Sequence, residues 1–292
     1  MPWQQITVTT SKELAPSFEE ILEDNGALSV TFTDALNQPI YEPPLETTPL
    51  WEEVLVTGLF EEQHDLSCIE QAFTESIESN SSWKMHIERL EDQVWERLWL
   101  EHFRPIKFGN DFWICSTEHV PPEPDATILW LDPGLAFGTG THPTTALCLG
   151  WLAKQNLTNT TVFDFGCGSG ILAIASLLMG ADKATGIDID PQALIATQNN
   201  AEKNSVQDRL TVSEVQDYPK DTHDIVVANV LAEPLITFSN EISSLVKPNG
   251  QLVLSGILSE QIESVIDAYA DNFTFEPPAV QDNWVYLHAR KH

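Results

Sequence analysis

Residues 161–180 read TVFDFGCGSGILAIASLLMG. Val162 and Phe163 suit a buried strand, and Asp164 stands two residues ahead of Gly166. Gly166, Gly168 and Gly170 allow a tight turn that a ligand can approach without a Cβ in the way. The apolar run that follows is long enough for a helix, whose first N–H groups lack intrahelical acceptors and face whatever the turn holds. A second strand, KATGID, ends at Asp188, 18 residues past Gly170. An acid at that point is placed to accept both hydroxyls of a ribose.

The glycine spacing is GxGxG, because position 171 is Ile and not the third glycine of a dinucleotide fingerprint. Asp164 at the head of the turn would repel a pyrophosphate, whereas it could hold an ammonium. Acid, GxGxG and second acid together resemble the class I S-adenosylmethionine (SAM) methyltransferases. The resemblance implies that the turn wraps the amino-acid part of SAM and that Asp188 binds its ribose. A nicotinamide or flavin site, and a glycine turn that binds nothing, are the alternatives.

Outward from this unit, strands and helices alternate from Pro143 onward. A helix is expected over 143–155. Parallel strands are expected at 161–165, 183–188, 210–213, 224–229 and 251–254, and an antiparallel pair at 273–276 and 284–290 closes the sheet. This is a doubly wound α/β sheet, whose ligands lie beyond the carboxyl ends of its strands. Asp164, Asp188 and Asn229 fall at such ends.

The first ninety residues follow another order. Strands are expected at 3–8, 28–33, 54–60 and 83–90. Helices are expected at 13–25, with Ser11 as N-cap and Gly26 as stop, and at 66–78. The order βαββαβ suggests a ferredoxin-like α+β sandwich with no catalytic motif, so its default role is binding. Next, Val94, Trp95, Leu98 and Trp99 sit at helical spacing until Pro105, as in a helical connector. A two-stranded lead-in is expected over 111–132. The plan is a recognition domain at 1–90, a connector at 91–107 and a ligand-binding domain at 108–292.

Two further segments carry chemistry. LDPGLAFGTGTHPTT, residues 131–145, is glycine-rich and runs into the helix at Pro143. As a lid it would cover the ligand through Phe137, Gly138, Thr139 and His142, with Phe137 as an apolar wall. Thr145, in the first helical turn, would reach the ligand's carboxylate. His142 is a candidate base, or it hydrogen-bonds to backbone. ANVLAEPL, residues 228–235, follows the fourth strand of the sheet. The side-chain carbonyl of Asn229 can accept a hydrogen bond from an attacking amine, or the residue caps the next helix. The motif lacks the paired prolines and aromatic of the NPPY type, so base stacking is not expected.

Composition narrows the partners. The chain has 292 residues, enough for two cores, and is 42% hydrophobic and 20% charged, as a globular protein is. The start, MPWQQITV, lacks the basic and apolar regions of a signal peptide, and no stretch reaches membrane-spanning length, so a cytoplasmic enzyme is expected. Cys68, Cys115, Cys148 and Cys167 are scattered and read as reduced thiols, with Cys167 a small residue filling the turn. The eight histidines form no HExxH pattern, and no metal is expected. The net charge is −30, and residues 1–100 hold 20 Asp/Glu against four Lys/Arg, a net of −16. That disfavours nucleic acid, which is bound through Lys and Arg, and favours a basic partner; the alternative is acidity for solubility alone.

GLAFGTGTHPTT, DFGCGSG, GIDIDPQA and NVLAEPL occur in that order behind an acidic βαββαβ domain and a Trp-rich connector. The whole chain resembles the PrmA family, which methylates ribosomal protein L11. The resemblance implies SAM as cofactor and a basic ribosomal protein, free or on the ribosome, as substrate, with lysine and N-terminal amines as acceptors. It implies that Thr145, Gly166, Asp188 and Asn229 contact SAM. Glu233 inside NVLAEPL departs from the pattern. A methyltransferase of another protein or of a small-molecule amine is the second enzyme reading, and a SAM- or nucleotide-binding regulator is the non-enzyme reading.

Overall fold

The computed structural model describes residues 2–36, 38, 40, 47–77, 82–90, 104–120, 123, 125–131, 138 and 140–292. The chain divides into two compact units, Met1–Trp95 and Glu96–His292.

In the first unit, β1 (Trp3–Ser11), α1 (Ala15–Asp24), β2 (Ser29–Asp34), β3 (Glu53–Glu61), α2 (Ile69–Ser76) and β4 (Lys84–Leu90) build one antiparallel sheet of order β2-β3-β1-β4. This is the ferredoxin-like topology. On β1 and β3 burial alternates residue by residue, because one face packs on the helices and the other does not. Ile6, Val8, Val54, Val56 and Phe60 meet Phe18, Leu22, Ile69 and Phe73 in its core. Ser11 does not cap α1 as expected. β1 runs through it, the N-cap is Leu14, and no side chain caps the helix. Gly26 ends α1 as expected, at φ 89° with its N–H on the Glu23 carbonyl. α2 starts three residues later than the expected helix.

The second unit opens with a three-stranded sheet of β5 (Ile106–Phe108), β6 (Phe112–Cys115) and β7 (Thr127–Trp130). The expected lead-in had two strands. β5 is a third strand, and it begins within the span expected for the connector, most of which lies outside the described residues. β7 is one of the two outer strands, and the Asn204 side chain takes the outward-facing backbone groups of Trp130. The amide donates to the Trp130 carbonyl and accepts from the Trp130 N–H, both at 2.8 Å.

The main sheet has order β10-β9-β8-β11-β12-β15-β13. Its strands are β8 (Thr161–Phe165), β9 (Lys183–Asp188), β10 (Leu210–Glu214), β11 (His223–Asn229), β12 (Val246–Leu258), β13 (Phe273–Phe275) and β15 (Trp284–Lys291), with β14 (Ala279–Gln281) paired beside β15. β10, β9, β8, β11 and β12 are parallel, and β15 is antiparallel to both neighbours. The helices are α3 (Pro143–Leu152), α4 (Ile171–Leu178), α5 (Pro191–Lys203), α6 (Ala232–Thr237), α7 (Ser239–Leu245) and α8 (Ile262–Tyr269). α4 buries seven of its eight residues, which is why its sequence is apolar on every side. Strand order turns outward in both directions from β8, to β9 on one side and β11 on the other. A doubly wound sheet opens its ligand crevice at that switch point.

Candidate functional site

A cleft of about 650 Å³ lies at the switch point, lined by Gly166, Gly168, Asp188 and Asn229 among others. Its volume suits a nucleoside-sized ligand carrying a side arm.

The glycine turn leaves β8 at Phe165. Gly166 sits at φ 76°, and a Cβ there would lie 2.3 Å from Val230 Cγ1, so the turn needs glycine for both conformation and space. The backbone N–H groups of Gly166 and Cys167 both donate to the Ile187 carbonyl, each at 2.9 Å. The Gly168 N–H donates to Asp188 Oδ2 at 2.9 Å, and the Asp190 N–H donates to Oδ1 at 3.0 Å. Both carboxylate oxygens of Asp188 are thereby held, and lone pairs remain for a ligand. Asp190 caps α5 by accepting from the Gln192 N–H, with Pro191 at the first helical position. Thr197 Oγ1 and Asn200 Nδ2 of α5 donate to the carbonyls of Gly168 and Ser169.

Three expected site residues stand behind the cleft wall. Gly170 is the N-cap of α4 at φ 76°, packed against Thr197. Asp164 is buried, and its Oδ2 accepts the Ala173 N–H at 3.1 Å. Its Oδ1 is buried without a hydrogen-bond partner. Burial pushes its pKa up to about 7, with the nearby Asp188 charge adding to the rise. Thr145 is fully buried, and its Oγ1 accepts from Asn229 Nδ2 at 3.2 Å.

Of the expected lid, Phe137 and Thr139 lie outside the described residues. The Gly138 carbonyl accepts from Ser169 Oγ at 2.6 Å, which ties the segment to the glycine turn. His142 lines the cleft and caps α3. Its Nδ1 accepts from the Thr144 N–H at 3.4 Å and lies 2.8 Å from Thr144 Oγ1. Burial lowers its pKa. Burial likewise raises the Cys167 thiol pKa, which fits a packing residue and not a nucleophile.

The sequence did not single out several lining residues. Trp284 enters from β15, with the His142 ring edge-on at 5.1 Å. Its signal was one large aromatic directly after the turn QDN. Ile189, 82% exposed, is the apolar residue between the acids of GIDID. Phe238, 44% exposed, and Leu231 line the cleft beside Phe165. Tyr218 and Glu241 join at the wall through Tyr218 Oη and Glu241 Oε1, which also accepts from Lys220 Nζ at 2.7 Å. Hydrogen bonds from Lys220 and Tyr218 hold the Glu241 pKa down. Glu233 is exposed in the first turn of α6, where the helix dipole favours an anion.

A family model described as ribosomal protein L11 methyltransferase (PrmA) matches residues 2–292. The chain is 50% identical over 288 residues to a ribosomal protein L11 methyltransferase of Ectopseudomonas mendocina, covering 98% of each chain. It is 49% identical over 292 residues to that of Pseudomonas fluorescens, covering all of both. Among solved structures, the ribosomal protein L11 methylase of Lactobacillus delbrueckii subsp. bulgaricus is similar at TM-score 0.59 and 31% identity, over 65% of this chain and all of that one. With the match running nearly end to end, the chain belongs to the PrmA family of ribosomal protein L11 methyltransferases.

Proposed function

We propose that the chain transfers methyl groups from SAM to amines of ribosomal protein L11, at lysine side chains and the N-terminal α-amine. The observation that carries this reading is one cleft holding both the Asp188 carboxylate, fixed on Gly168, and the Asn229 amide, fixed on Thr145. The residues fit SAM. Asp188 has lone pairs for ribose hydroxyls, the glycine turn leaves room for the amino-acid part, and the orphan oxygen of buried Asp164 favours a cation nearby. Gly166, Gly168 and Gly170 shape that turn, the Gly138 carbonyl accepts from Ser169 within it, and His142 lines the cleft beside it.

When bound, SAM supplies a methyl group made electrophilic by its sulfonium. The acceptor nitrogen gives its lone pair to the methyl carbon, the carbon–sulfur pair returns to sulfur, and the surplus nitrogen proton leaves to water. Charge moves from sulfur to nitrogen, so positioning supplies most of the acceleration. The obstacle is the acceptor's proton, since lysine titrates at about 10.4 and an α-amine at about 7.7–8.0. Apolar walls from Phe165, Leu231, Phe238 and Trp284 exclude water and lower an amine's pKa. The Asn229 carbonyl accepts the N–H and turns the lone pair toward the methyl group. No strong base is needed.

The first unit is proposed as the recognition domain for the basic substrate. In support, it is strongly acidic, and α1 and α2 carry Glu and Asp with no Lys or Arg. Direct contact with nucleic acid is not part of this reading. The setting proposed is the cytoplasm; among the described residues no helix is long and apolar enough to cross a membrane.

The test is transfer of radiolabelled methyl groups to purified ribosomal protein L11, ribosomal RNA and free amino acids, followed by mass mapping. Label on the protein's amines is expected. Label on RNA or free amino acids alone would overturn the reading.

A further inference from the structure

Residues 231–238, LAEPLITF, hold three exposed large apolar side chains, Leu231, Ile236 and Phe238. A surface helix turns its apolar side to the core and its polar side to water. α6 meets the first half of that rule, with Ala232 and Leu235 buried, but Ile236 stands 37% exposed on its outer side. Glu233, one turn earlier and also exposed, is its neighbour there. Leu231, Pro234 and Phe238 line the cleft itself, so the apolar surface continues from the cleft wall out over its rim. Exposed apolar side chains gathered at one place mark an interaction site, whereas single ones do not.

The acceptor decides what docks there. An N-terminal α-amine is bonded directly to its own Cα. For that amine to reach Asn229, the substrate's main chain has to enter the mouth of the cleft, and its next residues have to pass over the rim. We propose that Glu233, Ile236 and Phe238 form a docking ledge for the residues beside the acceptor amine, and that the ledge fits a segment with an apolar side chain next to a basic one. This rests on the methyl-transfer reading above. The charge is complementary, since Glu233 belongs to a chain of net charge −30 that draws basic segments toward it. The ledge is also held in place from behind. The buried Tyr269 hydroxyl donates to the Leu235 carbonyl at 2.7 Å, and the Phe238 N–H donates to the Pro234 carbonyl at 2.9 Å. A surface ordered before binding loses little freedom on binding.

The test uses the whole chain carrying I236S, E233Q or I195S, with purified ribosomal protein L11 as substrate. Ile195 is an exposed isoleucine of α5 outside the cleft lining and serves as the control. All three side chains are exposed, so each variant should melt close to the wild type. Covering a half-exposed isoleucine with substrate predicts a KM for ribosomal protein L11 about fivefold higher in I236S, with kcat within about twofold, because the contact is made equally before and during transfer. That effect should not depend on salt. E233Q should raise KM about threefold at low salt and leave it unchanged at about 0.5 M salt, where exposed charges are screened. I195S should leave KM unchanged, and SAM affinity by calorimetry should match the wild type in all three. The inference is overturned if the wild type methylates ribosomal protein L11 and KM is unchanged in I236S, or rises equally in I195S. A fall in SAM affinity in I236S would also overturn it and assign the ledge to the cofactor. A wild-type dimer that I236S dissociates would overturn it in favour of a second copy of the chain. Absence of wild-type methylation of ribosomal protein L11 is a separate result, which removes the methyl-transfer reading and the ledge together.

Discussion

Replacing Asp188 by alanine separates two tasks of one carboxylate. The first concerns the ligand, where the charged group is proposed to accept both ribose hydroxyls. A charge-assisted pair of this kind contributes about 2 kcal/mol, or a loss of about 30-fold in SAM affinity. The second concerns the fold, because the same oxygens hold the N–H groups of Gly168 and Asp190 at 2.9 and 3.0 Å. Two such bonds to a half-buried carboxylate contribute about 2 kcal/mol together, or roughly 4–8 °C of melting temperature for a domain of this size. Asp188→Asn is the informative companion, since its amide can accept from only one of the two N–H groups and sets its own NH2 against the other. Calorimetry with SAM and thermal melts in one buffer measure both effects. D188A is expected to lose affinity and stability together, with D188N between it and the wild type. A lower melting temperature with SAM affinity unchanged would refute the ribose assignment and leave Asp188 as a tether of the glycine turn.

Asp164 predicts a pH dependence. Its folded pKa of about 7 is raised above its unfolded value of about 3.9, so its contribution is fully present below pH 4 and is lost as pH rises through 7. D164N keeps the acceptor for the Ala173 N–H, and should melt higher than wild type at pH 8 with the difference vanishing near pH 4; a constant difference would remove the titration. G166A should destabilise by more than the roughly 1–2 kcal/mol of left-handed strain, because its Cβ meets Val230 Cγ1. Adding V230A should restore part of that, and a double variant no more stable than G166A would discount the steric argument. A fragment starting at Glu96, which keeps β5 and the whole second unit, should bind SAM like the full chain and methylate ribosomal protein L11 poorly. Equal methylation rates at equal concentrations would remove the recognition role of the first unit.

The doubly wound sheet is readable because three of its central strands end on a residue that announces the end. β8 runs into glycines, β9 into Asp188 and β11 into Asn229. Parallel strands buried on both faces also make continuous apolar runs that one sequence shows directly. β5 and the start of α1 were less readable for the opposite reason. β5 is three residues long and exists through its pairing with β6, a contact no local pattern encodes. Ser11 looks like a cap because of its hydroxyl, yet the pairing of β1 with β3 holds it in the strand up to Glu53. In the site, Asp188 and Asn229, expected from strand-end position and from their motifs, both line the cleft. Thr145 is expected from its motif to contact the ligand, and in the structure it is buried with its Oγ1 accepting from Asn229 Nδ2. Trp284 arrives from a strand more than fifty residues further along the chain, and only the antiparallel register of β12 with β15 brings it to the cleft.

Asn204 has a consequence for solubility. An outer strand offers unpaired N–H and C=O groups to any other strand that comes near, and chains meet through such edges when they aggregate. On β7 the outward pair at Trp130 is already occupied, because the carboxamide of Asn204 presents the same donor and acceptor that a neighbouring strand would. The side chain comes from the end of α5, where it also holds the Asn200 carbonyl at 2.8 Å. One residue thus finishes a helix and occupies the backbone pair of Trp130 at a sheet edge, and N204A would leave that pair open.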